Sequence, residues 1–196
     1  DLCSGSGCIA ITMQKETGAK VYAVEKSDKA IRYLKENITL NNSSVNLIEG
    51  DVLMEETKNK VPLSDMIICN PPYLTKEDMN SLQKEVTFEP SVALSGGDDG
   101  LYFYREITSL WKDKVKENGF IIYEIGMGQE ENVKEILLSN GFCDVKYQKD
   151  LGNIIRVVYA RKKTGGLVYG NRKEKREKSP CGNCRTADSG RKKESY

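Results

Sequence analysis

The sequence predicts an α/β protein built on a doubly wound, mostly parallel sheet that closes with a C-terminal antiparallel hairpin. Three observations predict it. Short apolar runs of strand length alternate with segments of helical apolar spacing from residue 8 to residue 160. A glycine turn, Gly5-Ser6-Gly7, stands where a strand would pass into a helix. The last two apolar runs are joined by Asp150-Leu151-Gly152-Asn153, a link too short for a crossover helix, so those strands pair antiparallel.

The elements follow in order. Residues 8–18 carry helix-compatible spacing after the glycine turn, and 21–25 read as a short buried strand. Asp28 is expected as the N-cap of the next helix, in which Ala30, Ile31, Leu34 and Ile38 recur up to a stop at Asn41-Asn42. Residues 45–49 form a strand ending at Gly50-Asp51, and 52–63 read as polar loop. A buried strand at 65–69 stops at Asn70-Pro71-Pro72, and 73–100 form a long connection. Residues 101–117 read as helix, with Leu101, Tyr104, Ile107, Leu110 and Trp111 inward. A strand at 120–125, a helix at 129–139 and strands at 145–148 and 154–160 complete one domain, residues 1–163. Residues 164–196 are polar, basic and expected to be disordered. The chain opens inside the glycine motif and without Met, so the sequence is expected to be a fragment with most of the first strand upstream.

Composition narrows the function classes. The formal net charge is +1, but residues 1–163 hold 21 Lys/Arg against 25 Asp/Glu. A net-acidic body argues against a protein that coats nucleic acid. The chain has no histidine, which removes the commonest general base and metal ligand. The cysteines at 3, 8, 69, 143, 181 and 184 are expected as free thiols in a reducing compartment, and Cys181-Gly-Asn-Cys184 lacks the partner pair of a zinc site. No metal is expected. No apolar run reaches the length of a membrane span, and the default location is cytoplasmic.

Two constellations carry chemistry. Gly5-Ser6-Gly7-Cys8-Ile9-Ala10 reads G-x-G-x-x-A, in which glycines allow a tight turn and close backbone approach to a ligand. Glu25 ends the next strand about 20 residues on, where an acid meets ribose hydroxyls. Asp51 ends the third strand at the same edge, placed to accept from an adenine amino group, and Asp1 is a third strand-end acid. These residues suit a nicotinamide cofactor and S-adenosylmethionine equally. The fourth strand separates the two. It ends in Asn70-Pro71-Pro72-Tyr73, at the carboxyl edge where ligands bind in such sheets. An amide nitrogen is a poor nucleophile because its lone pair is delocalised. If the Asn70 side-chain oxygen and the Pro71 carbonyl accept its two hydrogens, the lone pair turns toward a methyl donor, and Tyr73 stacks on the planar group.

NPPY after a fourth strand is shared by methyltransferases acting on adenine, cytosine or glutamine nitrogen, and the parallel sheet with a terminal hairpin is the layout of the Rossmann-like class I methyltransferases. The stretches DLCSGSGCIAI (1–11), EGD (49–51), ICNPPY (68–73), EVTFEPSVALSGGDDGLYFYR (85–105), YEIGMGQ (123–129) and KDLGNIIRVVYARK (149–162) together resemble the HemK/PrmC family of peptide chain release factor glutamine methyltransferases. The resemblance covers residues 1–162. It implies methyl transfer from S-adenosylmethionine to the glutamine of a Gly-Gly-Gln loop in class I release factors, with no membrane and no direct nucleic-acid binding required. Carried over by position, it implies that Gly5 and Gly7 line the methionine part of the cofactor, Glu25 holds the ribose and Asp51 lies near the adenine. Asn70, Pro71, Pro72 and Tyr73 then hold the target amide, and Glu89-Pro90 shapes the substrate pocket. The family also carries an N-terminal helical domain that is absent here. Glu25, Ser91 and Ile155 depart from its usual pattern. The rival readings are a DNA or RNA amino-methyltransferase, which shares NPPY, a nicotinamide-dependent oxidoreductase, which leaves NPPY unexplained, and a non-enzymatic remnant.

Overall fold

The structure, a computed structural model, describes residues 1–80 and 94–164. Helix α1 spans Cys8–Thr17, strand β1 Tyr22–Glu25, α2 Asp28–Leu40, β2 Asn46–Glu49, α3 Glu55–Asn59 and β3 Ser64–Cys69. They are followed by α4 (Lys76–Asn80), α5 (Tyr102–Trp111), β4 (Val115–Glu124), α6 (Glu130–Ser139), β5 (Phe142–Lys149) and β6 (Ile155–Lys162).

β1 and β2 pair in parallel, and a second group runs β3-β4-β6-β5. Leu2 forms parallel bridges to both Val24 of β1 and Cys69 of β3, and so stands between the two groups. β3 and β4 are parallel, while β6 runs antiparallel to both β4 and β5. The mostly parallel sheet and its terminal antiparallel hairpin are therefore as the sequence predicts. Every carboxyl end of β1, β2, β3 and β4 falls on one edge, because all four run the same way.

Burial explains the strand runs. Ala23, Val24, Cys69, Ile121 and Tyr123 are fully buried, as interior strands covered on both faces require. Trp111, Tyr104, Tyr123 and Phe142 are the largest fully buried side chains. The Tyr104 and Tyr123 rings meet edge to face at 5.3 Å. The Tyr123 hydroxyl is 2.9 Å from that of Thr108, which satisfies both inside the core. On the other face, Ala10, Ile11, Ala23, Leu34 and Val45 form a smaller cluster beneath α1 and α2.

Four of the differences from the sequence expectation have a clear local reason. Ser27, not Asp28, caps α2: its side chain accepts from the Ala30 N–H at 3.4 Å, and Asp28 becomes the first helical residue, where its charge suits the helix dipole. Helix α3 forms inside the expected 52–63 loop. Lys58–Glu55 at 2.6 Å and Lys60–Glu56 at 3.2 Å brace it, and Thr57 is buried. Helix α4 forms inside the expected connection because Thr75 and Asp78 cap each other reciprocally, Thr75 N–H to Asp78 Oδ2 at 3.0 Å and Asp78 N–H to Thr75 Oγ1 at 3.1 Å. Helix α5 ends at Trp111 rather than 117, because buried Val115 already belongs to β4, which kinks through Asn118 (φ 62) before resuming at Phe120. The expectations for Glu89, Pro90, Ser91 and the 165–196 tail lie outside the described residues.

Candidate active site

The carboxyl edge of β1, β2 and β3 opens into a cavity of about 790 Å³, within the range of small-molecule sites. Gly5, Glu25, Asp51, Asn70 and Pro72 all line it. Five of the sequence-predicted residues thus meet in one place, although they come from four separate strand ends.

The glycine turn forms the floor. Gly5 has φ 56, and a side chain there would project into open space, so the turn leaves its backbone bare to a ligand. Gly7 does a different job. At φ 86 it stands immediately before α1, and a Cβ would drive into the Leu34 side chain, so glycine lets α1 pack on α2. Gly7 and Asp1 do not line the cavity. Asp1 Oδ2 instead accepts from the Ala10 N–H at 3.1 Å, tying the turn to the first helical residues, while its Oδ1 is buried without a partner.

Glu25 is buried, and its carboxylate is the organiser of the turn. Oε2 accepts from Gly5 N–H at 2.8 Å, and Oε1 accepts from Lys26 N–H at 3.0 Å and Ser27 N–H at 2.9 Å. A carboxylate has about four lone-pair sites, so acceptor capacity remains on Oε2 toward the cavity. Asp51 Oδ1 accepts from Leu53 N–H at 2.9 Å, and Oδ2 pairs with Lys26 Nζ at 3.2 Å across the cavity mouth.

Asn70 is exposed at the end of β3, between buried Cys69 and buried Pro71. Pro71 and Tyr73, on either side of Pro72 in the chain, are not among the cavity-lining residues. The next segment is held firmly: Leu74 N–H donates to Leu94 carbonyl at 2.9 Å, and Gly96 N–H to Leu74 carbonyl at 2.8 Å. Opposite Asn70, at the end of β4, burial raises the Glu124 carboxyl above its usual range, and the Arg156 charge works the other way.

Sequence reasoning missed several contributors. Lys26, Lys29, Ala30 and Tyr33 line the cavity from the start of α2, and Lys29 and Tyr33 share a face by their i, i+4 spacing, which was the available signal. Phe103 is buried and also lines the cavity. Gln129 enters the sequence reading only as the last residue of the YEIGMGQ stretch and the start of the 129–139 helix, with no role attached. Among the described residues there is no cluster of three or more potential metal ligands, and no helix is long and apolar enough to cross a membrane.

Residues 1–95 match the Methyltransferase small domain family. A release factor glutamine methyltransferase of Thermodesulfovibrio yellowstonii is 39% identical over 165 residues, covering 83% of this chain and 58% of the relative. Another bearing that name, from Clostridium acetobutylicum, is 37% identical over 174 residues, covering 85% of this chain and 59% of the relative. The chain therefore spans somewhat under two thirds of these relatives' length. A solved methyltransferase of Pyrococcus furiosus superposes with a TM-score of 0.60 at 20% identity, over 83% of this chain and 74% of that one. That likeness establishes the fold: a class I methyltransferase sheet.

Proposed function

We propose, from the premise that the chain belongs to the family of the release factor glutamine methyltransferases, that it transfers a methyl group from S-adenosylmethionine to the glutamine side chain of a Gly-Gly-Gln loop in class I release factors. The observation that carries this reading is the meeting of Gly5, Glu25, Asp51, Asn70 and Pro72 around one cavity.

The residues fit an adenosine-bearing cofactor. The bare Gly5 backbone admits its amino-acid end, the free capacity of Glu25 suits ribose hydroxyls, and Tyr33 and Phe103 supply apolar surface. The cofactor brings an electrophilic sulfonium methyl. Asn70 Oδ1 and the Pro71 carbonyl accept the two hydrogens of the target amide and fix its nitrogen facing that methyl, and Tyr73 supports the amide plane. Held by Gly5 and Glu25, the cofactor would supply the methyl and be left as a neutral thioether, while the alkylated amide would lose its proton to solvent. No histidine is needed, because the proton becomes acidic only once the nitrogen has been alkylated.

Labelled S-adenosylmethionine, the protein and a release-factor domain carrying Gly-Gly-Gln should give labelled protein, and a domain with that glutamine changed to alanine should stay unlabelled. Label in nucleic acid with none in the release factor would sink the substrate assignment and favour the amino-methyltransferase of DNA or RNA.

Glu25→Ala should weaken S-adenosylmethionine binding about tenfold or more, since a charge-assisted bond contributes roughly 1.5–3 kcal/mol. The loss has two sources, the ribose acceptor and the release of three N–H groups now held by one carboxylate. Calorimetry that finds the affinity unchanged takes Glu25 out of the site.

A further inference from the structure

Gln129 lies 56 residues from Tyr73 in sequence, and its side-chain amide joins three loops at the carboxyl edge of the sheet. Nε2 donates to the Tyr73 carbonyl at 3.0 Å and to the Gly100 carbonyl at 3.4 Å. Oε1 accepts from the Gly126 N–H at 2.9 Å and lies 3.3 Å from the Tyr104 hydroxyl. That hydroxyl also donates to the Glu124 carbonyl at 3.0 Å. Burial, with the neighbouring Cys69 and Tyr73, pushes the Tyr104 pKa far above its ordinary value, so it remains a donor.

The surroundings are built to this amide. Gly100 has φ 72, and a Cβ there would stand 2.5 Å from the Tyr73 carbonyl and 2.6 Å from Gln129 Nε2. A Cβ on Gly126 would stand 2.9 Å from Gln129 Oε1 and 3.1 Å from the Tyr73 ring. Only a side chain that donates at one end and accepts at the other satisfies both sets of partners. A carboxylate of the same shape would face the Tyr73 and Gly100 carbonyls with acceptors on both sides. Gln129 does not line the cofactor cavity.

We propose that Gln129 is the positioning residue that holds the Asn70-Pro71-Pro72-Tyr73 turn in place, through the Tyr73 carbonyl, and that it governs turnover on the target amide without contributing to cofactor affinity. The second half rests on the methyltransferase reading. Reaction rates are sensitive to displacements of about 1 Å at such contacts, enough for roughly a hundredfold. Tying the carbonyl of Tyr73 fixes the peptide that follows the NPPY turn directly.

The test uses Gln129→Glu, Gln129→Met and Tyr104→Phe in the protein, with three readouts: amide hydrogen exchange at Leu74 and Gly96, S-adenosylmethionine affinity by calorimetry, and kcat and KM on a Gly-Gly-Gln release-factor domain. The Gln129 variants should exchange about tenfold faster at both amides and lose about tenfold or more in kcat, with cofactor affinity within about twofold of wild type. Tyr104→Phe, which keeps the donor to Tyr73, should shift both far less. If Gln129→Glu does not fold, Gln129→Met removes the same bonds without burying a charge. Unchanged exchange in a folded Gln129 variant overturns the proposal, as does faster exchange with wild-type kcat. Equal losses in Tyr104→Phe and the Gln129 variants also overturn it, because the effect would then belong to packing. If the wild type methylates no amide substrate while exchange still rises, the tie to the turn is upheld and the functional reading falls instead.

Discussion

On the proposed reaction, Asn70→Ala should lower turnover on a Gly-Gly-Gln release-factor domain by about a hundredfold or more and leave S-adenosylmethionine affinity within about twofold of wild type, because one lost positioning contact is worth a few kcal/mol in the barrier. The split follows from location. Asn70 is exposed at the end of β3, while the glycine turn, Glu25 and Asp51 are fixed by hydrogen bonds that do not involve it. The flanking Cys69 and Pro71 are buried, so the change removes an acceptor without moving the backbone that carries it. Asn70→Asp keeps an acceptor of nearly the same shape and adds a negative charge beside a nitrogen that becomes cationic in the reaction, so it should retain part of the activity. Full turnover in Asn70→Ala would end the amide-positioning mechanism, whatever the substrate proves to be.

Trp111→Ala destabilises the domain by about 3–5 kcal/mol, against a total of roughly 5–15 kcal/mol for a domain of this kind. Trp111 is fully buried, and its Nε1 donates to the Val52 carbonyl at 2.7 Å. Removing it opens a cavity and strands a buried carbonyl. Trp111→Phe keeps most of the apolar volume and loses only the donor, so it should cost about 1–3 kcal/mol. Trp111 is the chain's single tryptophan, so the melts are read by circular dichroism in urea rather than by fluorescence. Equal losses in the two variants would mean that the hydrogen bond, and not the packing, holds α5 to the loop after β2. That loop carries Asp51 next to Val52, so the anchor also serves the cavity wall.

The sheet was legible because its signals are local. Runs such as Asp65-Met66-Ile67-Ile68-Cys69 betray buried strands, and the four-residue link at 150–153 leaves no room for a crossover. What was not legible depended on competition between neighbours. Ser27 and Asp28 are both good caps, and only the geometry shows which one bonds to Ala30. Val115 fits the helical pattern of 101–117 as well as the strand that claims it. The α3 helix rests on ion pairs in a stretch too polar to show a period.

The site divides in the same way. Gly5, Glu25, Asp51, Asn70 and Pro72 sit at strand ends, and the ends of parallel strands converge by topology, so their meeting could be anticipated. Their individual duties could not. Gly7 turned out to make room for Leu34, and Glu25 to bind three backbone amides. Phe103 and Gln129 reach the edge through tertiary packing, which leaves no imprint on spacing.

Residues 1–4 join the two strand groups: Leu2 bridges Val24 on one side and Cys69 on the other, and the Ser4 N–H donates to the Val24 carbonyl at 3.0 Å. The cavity is lined from both groups, by Glu25 and Asp51 at the ends of β1 and β2 and by Asn70 and Pro72 after β3. A molecule that touches both sets of residues would hold them together, and at a hundred times its dissociation constant a ligand adds about 2.7 kcal/mol to the stability of the folded form. The loaded protein would then be harder to unfold than the empty one.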